Sequence, residues 1–274
     1  MIKNKMYGVM IFFFVVNCFA MDSSKKPTRY LGLCTEFWDL DKPMPSEKEY
    51  ALFRHYVAQS KGPILEPMCG TGRYTIPLLE EGFNIEAFDC SPFMLDALRN
   101  KCAKKNLSPH VWESYIESVP ETKKYDLLFI PDTSFCIFLD KAHIKRCLQK
   151  LYNLLLPKGK LVFDVQTQYS RPDNIGLWSG KAYKRADGNI IIESVLPLPV
   201  ENSVAPLILR YELMNNTDLL KTEMEYYPIK LYQPGEMDSL LKEVGFRHIK
   251  KIKAYDHTRT SSLQDDIIVY ECIK

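Results

Sequence analysis

From residue 62 to residue 166 short apolar runs alternate with helical patterns, and this alternation restricts the chain more than any other feature. Pro63-Ile64-Leu65, residues 84–89, residues 109–115, residues 125–131 and residues 160–166 read as five strands. Helices are expected between them: roughly 72–81, ended by Gly82; one opened by Ser91-Pro92; and roughly 140–155, with Leu148, Leu151, Leu154 and Leu155 on one face and Pro157-Lys158-Gly159 behind it. A serine hydroxyl accepts a free backbone N–H at a helix start, and proline fits the first helical position because its missing N–H would be unpaired there. Strands separated by helices pair in parallel through crossovers, and strands this apolar are buried on both faces. The expected class is α/β, with a seven-stranded, mostly parallel sheet covered by helices on both faces.

After about residue 170 the pattern changes. Ala186-Asp187-Gly188-Asn189 and Asn215-Asn216-Thr217 read as turns between strand-like runs at 190–197, 206–214 and 220–232. These predict an inserted cap of antiparallel hairpins. A helix over 234–244, stopped by Gly245, and strands over 247–254 and 266–273 complete the main sheet. A helix over 45–60 precedes it, behind a polar arm that carries Phe37-Trp38. The resulting division is a leader (1–21), an arm and helix (22–61), a core (62–174), a β cap (175–232) and a C-terminal part of the core (233–274).

In the leader, Lys3 and Lys5 precede an apolar run from Met6 to Met21 broken only by Asn17. With Cys18 and Ala20 near a cleavage point it resembles a secretory signal, which implies a membrane-associated or exported protein. It is short for a span, which needs about 20 residues. The favoured reading is an over-long start with Met21 as first residue, and hence a cytoplasmic protein. A formal net charge of +2 is too weak for nucleic acid or an anionic membrane as main partner. The eight cysteines include no Cys-x-x-Cys pair and no zinc spacing, so reduced, mostly buried thiols and no metal are expected. The histidines, His143 and His248 among them, read as surface residues.

The chemistry concentrates at Glu66-Pro67-Met68-Cys69-Gly70-Thr71-Gly72-Arg73, where the first strand turns into a helix. Glycines there let backbone pass close to a ligand, and the helix start offers N–H groups to a carboxylate. About twenty residues on, Asp89 ends the second strand, where a carboxylate suits ribose hydroxyls. A dinucleotide dehydrogenase would want a third glycine after Gly72, where Arg73-Tyr74-Thr75 stands.

On these residues the chain from about 30 to 274 resembles class I S-adenosylmethionine-dependent methyltransferases, which have a Rossmann-like fold. More narrowly, it resembles the bacterial small-molecule group whose first motif reads Glu-Pro-Met-Cys-Gly-Ser/Thr-Gly-Arg. The resemblance implies S-adenosyl-L-methionine as cofactor. It implies Glu66 near the methionine amino group, Cys69, Gly70 and Gly72 along the methionine and ribose, and Arg73 toward the carboxylate or in an ion pair. It further implies Asp89 on the ribose, and Cys90, Met94, Ile116 and Pro131 around the adenine and the methyl group. Two departures stand out. Met68 replaces the first glycine of the common motif, and Tyr115-Ile116 replaces an acidic residue near the adenine amino group. Asp132, after the fourth strand, is either a catalytic residue that orients or deprotonates the acceptor, or a loop cap. Trp38 and Tyr30 are candidate lid residues, with core anchoring as the plainer reading. Trp178, Tyr183, Tyr226 and Tyr227 are expected to wall an acceptor pocket.

The implied activity is transfer of a methyl group to a small-molecule N or O acceptor by in-line displacement. The alternative is a cofactor-binding sensor or partner subunit without catalysis. No nucleic acid and no stable membrane span are expected.

Overall fold

The computed structural model describes residues 30–262 and 264–274. The expected leader, and the arm up to residue 29, lie outside the described residues. The chain runs α1 (Gly32–Asp41), α2 (Glu47–Gln59), β1 (Ile64–Pro67), α3 (Thr75–Glu80), β2 (Ile85–Asp89), α4 (Pro92–Lys104), β3 (Val111–Glu113), β4 (Tyr125–Ile130), α5 (Lys141–Leu154) and β5 (Leu155–Gln166). It continues through β6 (Ser179–Lys184), β7 (Ile190–Pro197), β8 (Val204–Asn215), β9 (Asp218–Lys230), α6 (Glu236–Val244), β10 (His248–Lys253), β11 (Asp256–Thr260) and β12 (Ile267–Ile273).

Local chemistry sets the helix starts. Ser46 and Glu49 form a capping box at α2, Ser91 accepts the Met94 N–H at α4 with Pro92 first in the helix, and Asp140 accepts the His143 N–H at α5. The main sheet has the order β11-β10-β12-β5-β4-β1-β2-β3. β3, β2, β1, β4 and β5 pair in parallel; β12 runs antiparallel between β5 and β10. These seven strands make the expected sheet. The eighth, β11, is an addition at the edge beside β10, reached through Ala254 and Tyr255, both at positive φ. Its sequence Asp-His-Thr-Arg-Thr is polar and largely exposed, so no apolar run announced it.

Both sheet faces are covered. α5 and α6 bury Leu148, Leu151 and Leu240 against Leu128, Phe163 and Tyr270. On the other face α2 brings Phe53 and Val57 to Tyr74, Phe129 and Val162. The switch from β1 outward to β2 on one side and β4 on the other opens a crevice beyond the strand carboxyl ends, where ligands bind in such sheets. Among the described residues no helix is long and apolar enough to cross a membrane. Of the described cysteines none is bridged, and all but Cys90 are buried.

The second sheet is a four-stranded meander, β6-β7-β8-β9. Helix α1 lies on it, with Leu33, Cys34 and Phe37 packed against Ile191, Leu209 and Tyr211. This helix lies in the arm expected only to be polar and to carry Phe37-Trp38, and Gly32–Asp41 has no capping side chain of its own. The caps come from far away: Glu225 on β9 accepts the Leu31 N–H at 3.1 Å and Glu223 accepts the Leu33 N–H at 2.8 Å. Carboxylates at a helix start satisfy free N–H groups and complement its dipole.

Strand alternation also divides the aromatic set expected to wall one pocket. Tyr183 and Tyr227 join the cluster against α1. Tyr226, one residue from Tyr227 and therefore on the opposite face, is 55% exposed, and Trp178 is 47% exposed under Arg210.

Two glycines give a graded test of the α3–α4 packing. Both have positive φ, but a Cβ on Gly72 would lie 2.8 Å from Leu98 Cγ, whereas one on Gly82 meets nothing within 4 Å. Gly82→Ala is expected to cost about 1–2 kcal/mol from backbone strain alone. Gly72→Ala is expected to cost about 1–3 kcal/mol more from overpacking. Urea unfolding of the two variants measures the difference; equal costs would remove the packing argument.

Candidate functional site

The turn after β1 alternates into the left-handed region at Met68 (φ 60°), Gly70 (φ 54°) and Gly72 (φ 82°). Met68 is a non-glycine residue in that region, a conformation that costs energy and needs its surroundings to hold it. The Cys69 N–H donates to Phe88 O at 3.1 Å and the Gly72 N–H to Cys69 O at 2.9 Å. The Gly70 N–H donates to Asp89 Oδ2 at 2.9 Å, and the Ser91 N–H to Asp89 Oδ1 at 2.9 Å. The end of β2 and the glycine turn after β1 therefore meet at one buried carboxylate. Burial pushes the Asp89 carboxyl above its ordinary range, and N–H donors from Ser91, Gly70 and Cys90 oppose that shift. An added Cβ on Gly70 would find only Met94 Sδ, at 4.0 Å, so this side of the turn faces open room. Gly72, by contrast, faces Leu98 and Ile76.

Glu66, on β1, is 1% exposed and accepts the Thr75 hydroxyl. Burial pushes its carboxyl up to about 8. Cys69 is buried with Leu95 and Leu98. Met94 and Ile116 are buried, Pro131 is buried, Cys90 is half-buried, and Tyr115 is 47% exposed. Arg73 bridges two elements: Nη1 lies 2.9 Å from Asp132 and Nη2 3.2 Å from Glu49. Arg73 thus forms the ion pair expected of it, with Asp132 and Glu49. Its Nε is buried without a hydrogen-bond partner.

Asp132 and Thr133, directly after β4, both adopt positive φ (64° and 52°). Burial raises the Asp132 carboxyl above its ordinary range, against the pull of Arg73. Beneath this turn Asp164 accepts the Thr133 N–H at 2.8 Å and the Tyr255 hydroxyl at 2.5 Å. Asp164 is 0% exposed, and burial pushes it up to about 7. Asp164, Tyr255 and Glu49 are not among the site residues expected from the sequence. The available signal was a carboxylate inside the apolar run Leu161-Val162-Phe163-Asp164-Val165.

The first helix roofs the turn. Asp39 accepts the Thr71 hydroxyl at 2.5 Å and pairs with Lys101 at 2.7 Å, and Tyr30 O accepts the Ser91 hydroxyl at 3.0 Å. Tyr30 is held by its hydroxyl 3.1 Å from that of Tyr227. Trp38, also on α1, is half-buried with Lys42 Nζ 4.3 Å above its ring. The site thus lies between the main sheet, α1 and the inner face of the second sheet.

Residues 64–159 match the profile of the methyltransferase domain family. A glycine/sarcosine N-methyltransferase of Parasynechococcus marenigrum (strain WH8102) is 27% identical over 82% of this chain and 78% of that protein. A glycine/sarcosine/dimethylglycine N-methyltransferase of Actinopolyspora halophila is 25% identical over 84% of this chain and 40% of its own length. The chain spans 47%, 44% and 40% of three curated relatives that it matches, less than half of each. Among solved structures, an S-adenosylmethionine-dependent methyltransferase from Clostridium acetobutylicum ATCC 824 superposes with a TM-score of 0.71 at 18% identity, over 87% of this chain and 96% of that one. A sugar N-methyltransferase from Streptoalloteichus sp ATCC 53650 gives 0.68 at 14% identity, over 98% and 97%. The fold is that of these solved methyltransferase structures, and residues 64–159 resemble the methyltransferase domain family.

The two buried carboxyls generate a prediction. A carboxyl whose folded pKa is raised binds its proton more tightly in the native state, so its contribution to stability is full below the unfolded pKa and is lost as pH rises to the folded one. For Glu66 that window runs from 4.5 to about 8, and for Asp164 from 3.8 to about 7. The wild-type protein is expected to lose stability from about pH 5 to about pH 8. Glu66→Gln and Asp164→Asn, which keep a neutral side chain of the same shape, should each flatten that fall by about 1 kcal/mol or more. Urea midpoints at the two pH values check this; parallel pH profiles would reject it.

Proposed function

We propose that the chain is an S-adenosylmethionine-dependent methyltransferase acting on a nitrogen or oxygen of a small molecule. The observation that carries this reading is the 2.9 Å hydrogen bond from the Gly70 N–H to Asp89. It fixes a buried carboxylate beside a glycine that faces open room, at the switch point of a parallel sheet. Asp89 accepts the Gly70 N–H on one oxygen and the Ser91 N–H on the other, and its remaining acceptor capacity suits the hydroxyls of a ribose, which donate.

The residues present fit the cofactor. Asp89 would hold its ribose, Gly70 its close-packed edge, and Met94, Ile116 and Cys90 its adenine. Glu66 would face the methionine amino group, where a cationic partner would restore the charge that burial now disfavours. Bound S-adenosylmethionine supplies an already activated methyl group.

The rest falls to the chain. Asp132, held by Arg73, orients an acceptor N–H or O–H at the end of β4 and takes its proton. Its raised proton affinity favours that role, and Arg73 limits the rise. Helix α1 and the inner face of the second sheet, with Tyr30 and Tyr227, exclude water above the site. The N-methyltransferase relatives and the sugar N-methyltransferase of the same fold support a small acceptor. A cytoplasmic location belongs to the same proposal, since the methyl donor is made there.

Two variants test it. Asp89→Ala is expected to weaken S-adenosylmethionine binding at least about tenfold, the loss of one hydrogen bond to a charged group. Calorimetry on the full chain measures this, and unchanged affinity would remove the assigned site. In a screen of small amines and alcohols with a labelled methyl donor, Asp132→Asn is expected to lower turnover about 10²-fold or more with cofactor affinity retained. Equal turnover would make Asp132 a loop cap. Tight binding with no transfer to any acceptor would favour the sensor reading.

A further inference from the structure

Outside this site three side chains of different type converge on one spot. Glu117 lies in the 3-10 turn Ile116–Ser118 that follows β3, and His143 and Cys147 lie one turn apart on α5. Four-residue spacing places both on the same helix face. A Glu117 carboxylate oxygen, a His143 ring nitrogen and Cys147 Sγ all lie within 4.8 Å of one another. His143 Nε2 contacts Glu117 Oε1 directly. Phe138 packs edge-on against the His143 ring at 5.0 Å and limits its rotation.

We propose that this trio is a binding site for a divalent cation of zinc type, separate from the methyl-transfer site. A tetrahedral zinc needs ligand atoms at about 2.0–2.3 Å, and hence roughly 3–4 Å from one another. The three donor atoms, all within 4.8 Å of one another, lie close to that spacing. The donor set is the one that borderline-soft cations prefer: thiolate, imidazole and carboxylate. Charge favours it as well. A thiolate, a carboxylate and a neutral imidazole around a doubly charged cation sum to zero, which suits a half-buried position.

Without a cation the thiol must keep its proton, because burial and the facing Glu117 carboxylate both oppose a thiolate. Arg146 is the nearby positive charge that acts the other way. Binding therefore releases the Cys147 proton to solvent and replaces it with the metal–sulfur bond. Glu117 and His143 are each about one-third exposed, which leaves an approach for the ion and for a water as fourth ligand. Such a site would pin the 3-10 turn, and with it the buried Ile116, to α5. The spacing was invisible in the sequence because the third ligand precedes the His143-x-x-x-Cys147 pair by more than a helix length.

The test uses the untagged full-length chain, stripped of metal and titrated with Co²⁺ as a spectroscopic substitute. A sulfur-to-cobalt charge-transfer band that saturates at about one equivalent is expected, removed by Zn²⁺. Cys147→Ser should abolish the band, and His143→Ala and Glu117→Gln should each weaken Co²⁺ binding about tenfold or more. Because Cys147 is buried, the Glu117→Gln variant, changed at a partly exposed turn, carries the test if Cys147→Ser unfolds. At equal Zn²⁺ concentration the melting temperature of the wild type should rise more than that of Glu117→Gln. Absence of a sulfur band overturns the proposal. So does Co²⁺ bound through imidazole alone, as at the stacked His55–His257 pair, or a band that survives His143→Ala and Glu117→Gln unchanged.

Discussion

A single buried carboxylate organises the centre of this protein. Asp89 takes an N–H from Gly70 on one oxygen and from Ser91 on the other. It thereby joins the turn after β1 to the start of α4. That turn visits the left-handed region three times in five residues, once at a methionine, and such a backbone persists only where neighbours over-determine it. The hydrogen bonds to Asp89 and to Phe88 O, together with the contact of Gly72 against Leu98, supply that constraint. A second turn, at Asp132–Thr133, is held in the same manner from below by Asp164. The crevice lies between two turns whose conformation is fixed by acids drawn out of water.

The second sheet and α1 complete this arrangement. α1 has one face on the inner surface of the meander and its other contacts on Thr71, Ser91 and Lys101 of the core. Glu223 and Glu225 hold its start. Glu225 Oε2 is buried with no hydrogen-bond partner, so this cap is only partly compensated. An incompletely satisfied buried acid is costly, and its retention ties α1 to β9 at a defined register.

The parallel core was legible because its signals are local. Apolar runs of strand length, Ser91-Pro92 at a helix start and Gly82 and Gly245 at helix ends each act within a few residues. The meeting of Asp89 with the glycine turn was legible for a different reason, since parallel strands one crossover apart bring their carboxyl ends together. Features that depend on distant partners were not legible. α1 is capped from about 190 residues away. β11 is polar and forms only because β10 offers it an edge. Arg73 is committed to Asp132 and Glu49, which local sequence leaves open. Tyr226 and Tyr227, adjacent in the chain, went to opposite faces, which a count of aromatics in a segment does not reveal.

The attachment of α1 has a consequence for how the molecule is made. A ribosome releases Gly32–Asp41 before either sheet exists, yet the carboxylates that anchor it arrive with β9, late in the chain. Until β7 and β8 emerge, this segment lacks Ile191, Leu209 and Tyr211, against which Leu33 and Phe37 pack. Contacts between such remote stretches close slowly, because the loop entropy is lost before the contact returns anything. The first of the described helices to emerge is thus secured only after all five parallel strands have left the ribosome, and the nascent chain passes through a stage in which those strands exist and their roof is unfastened.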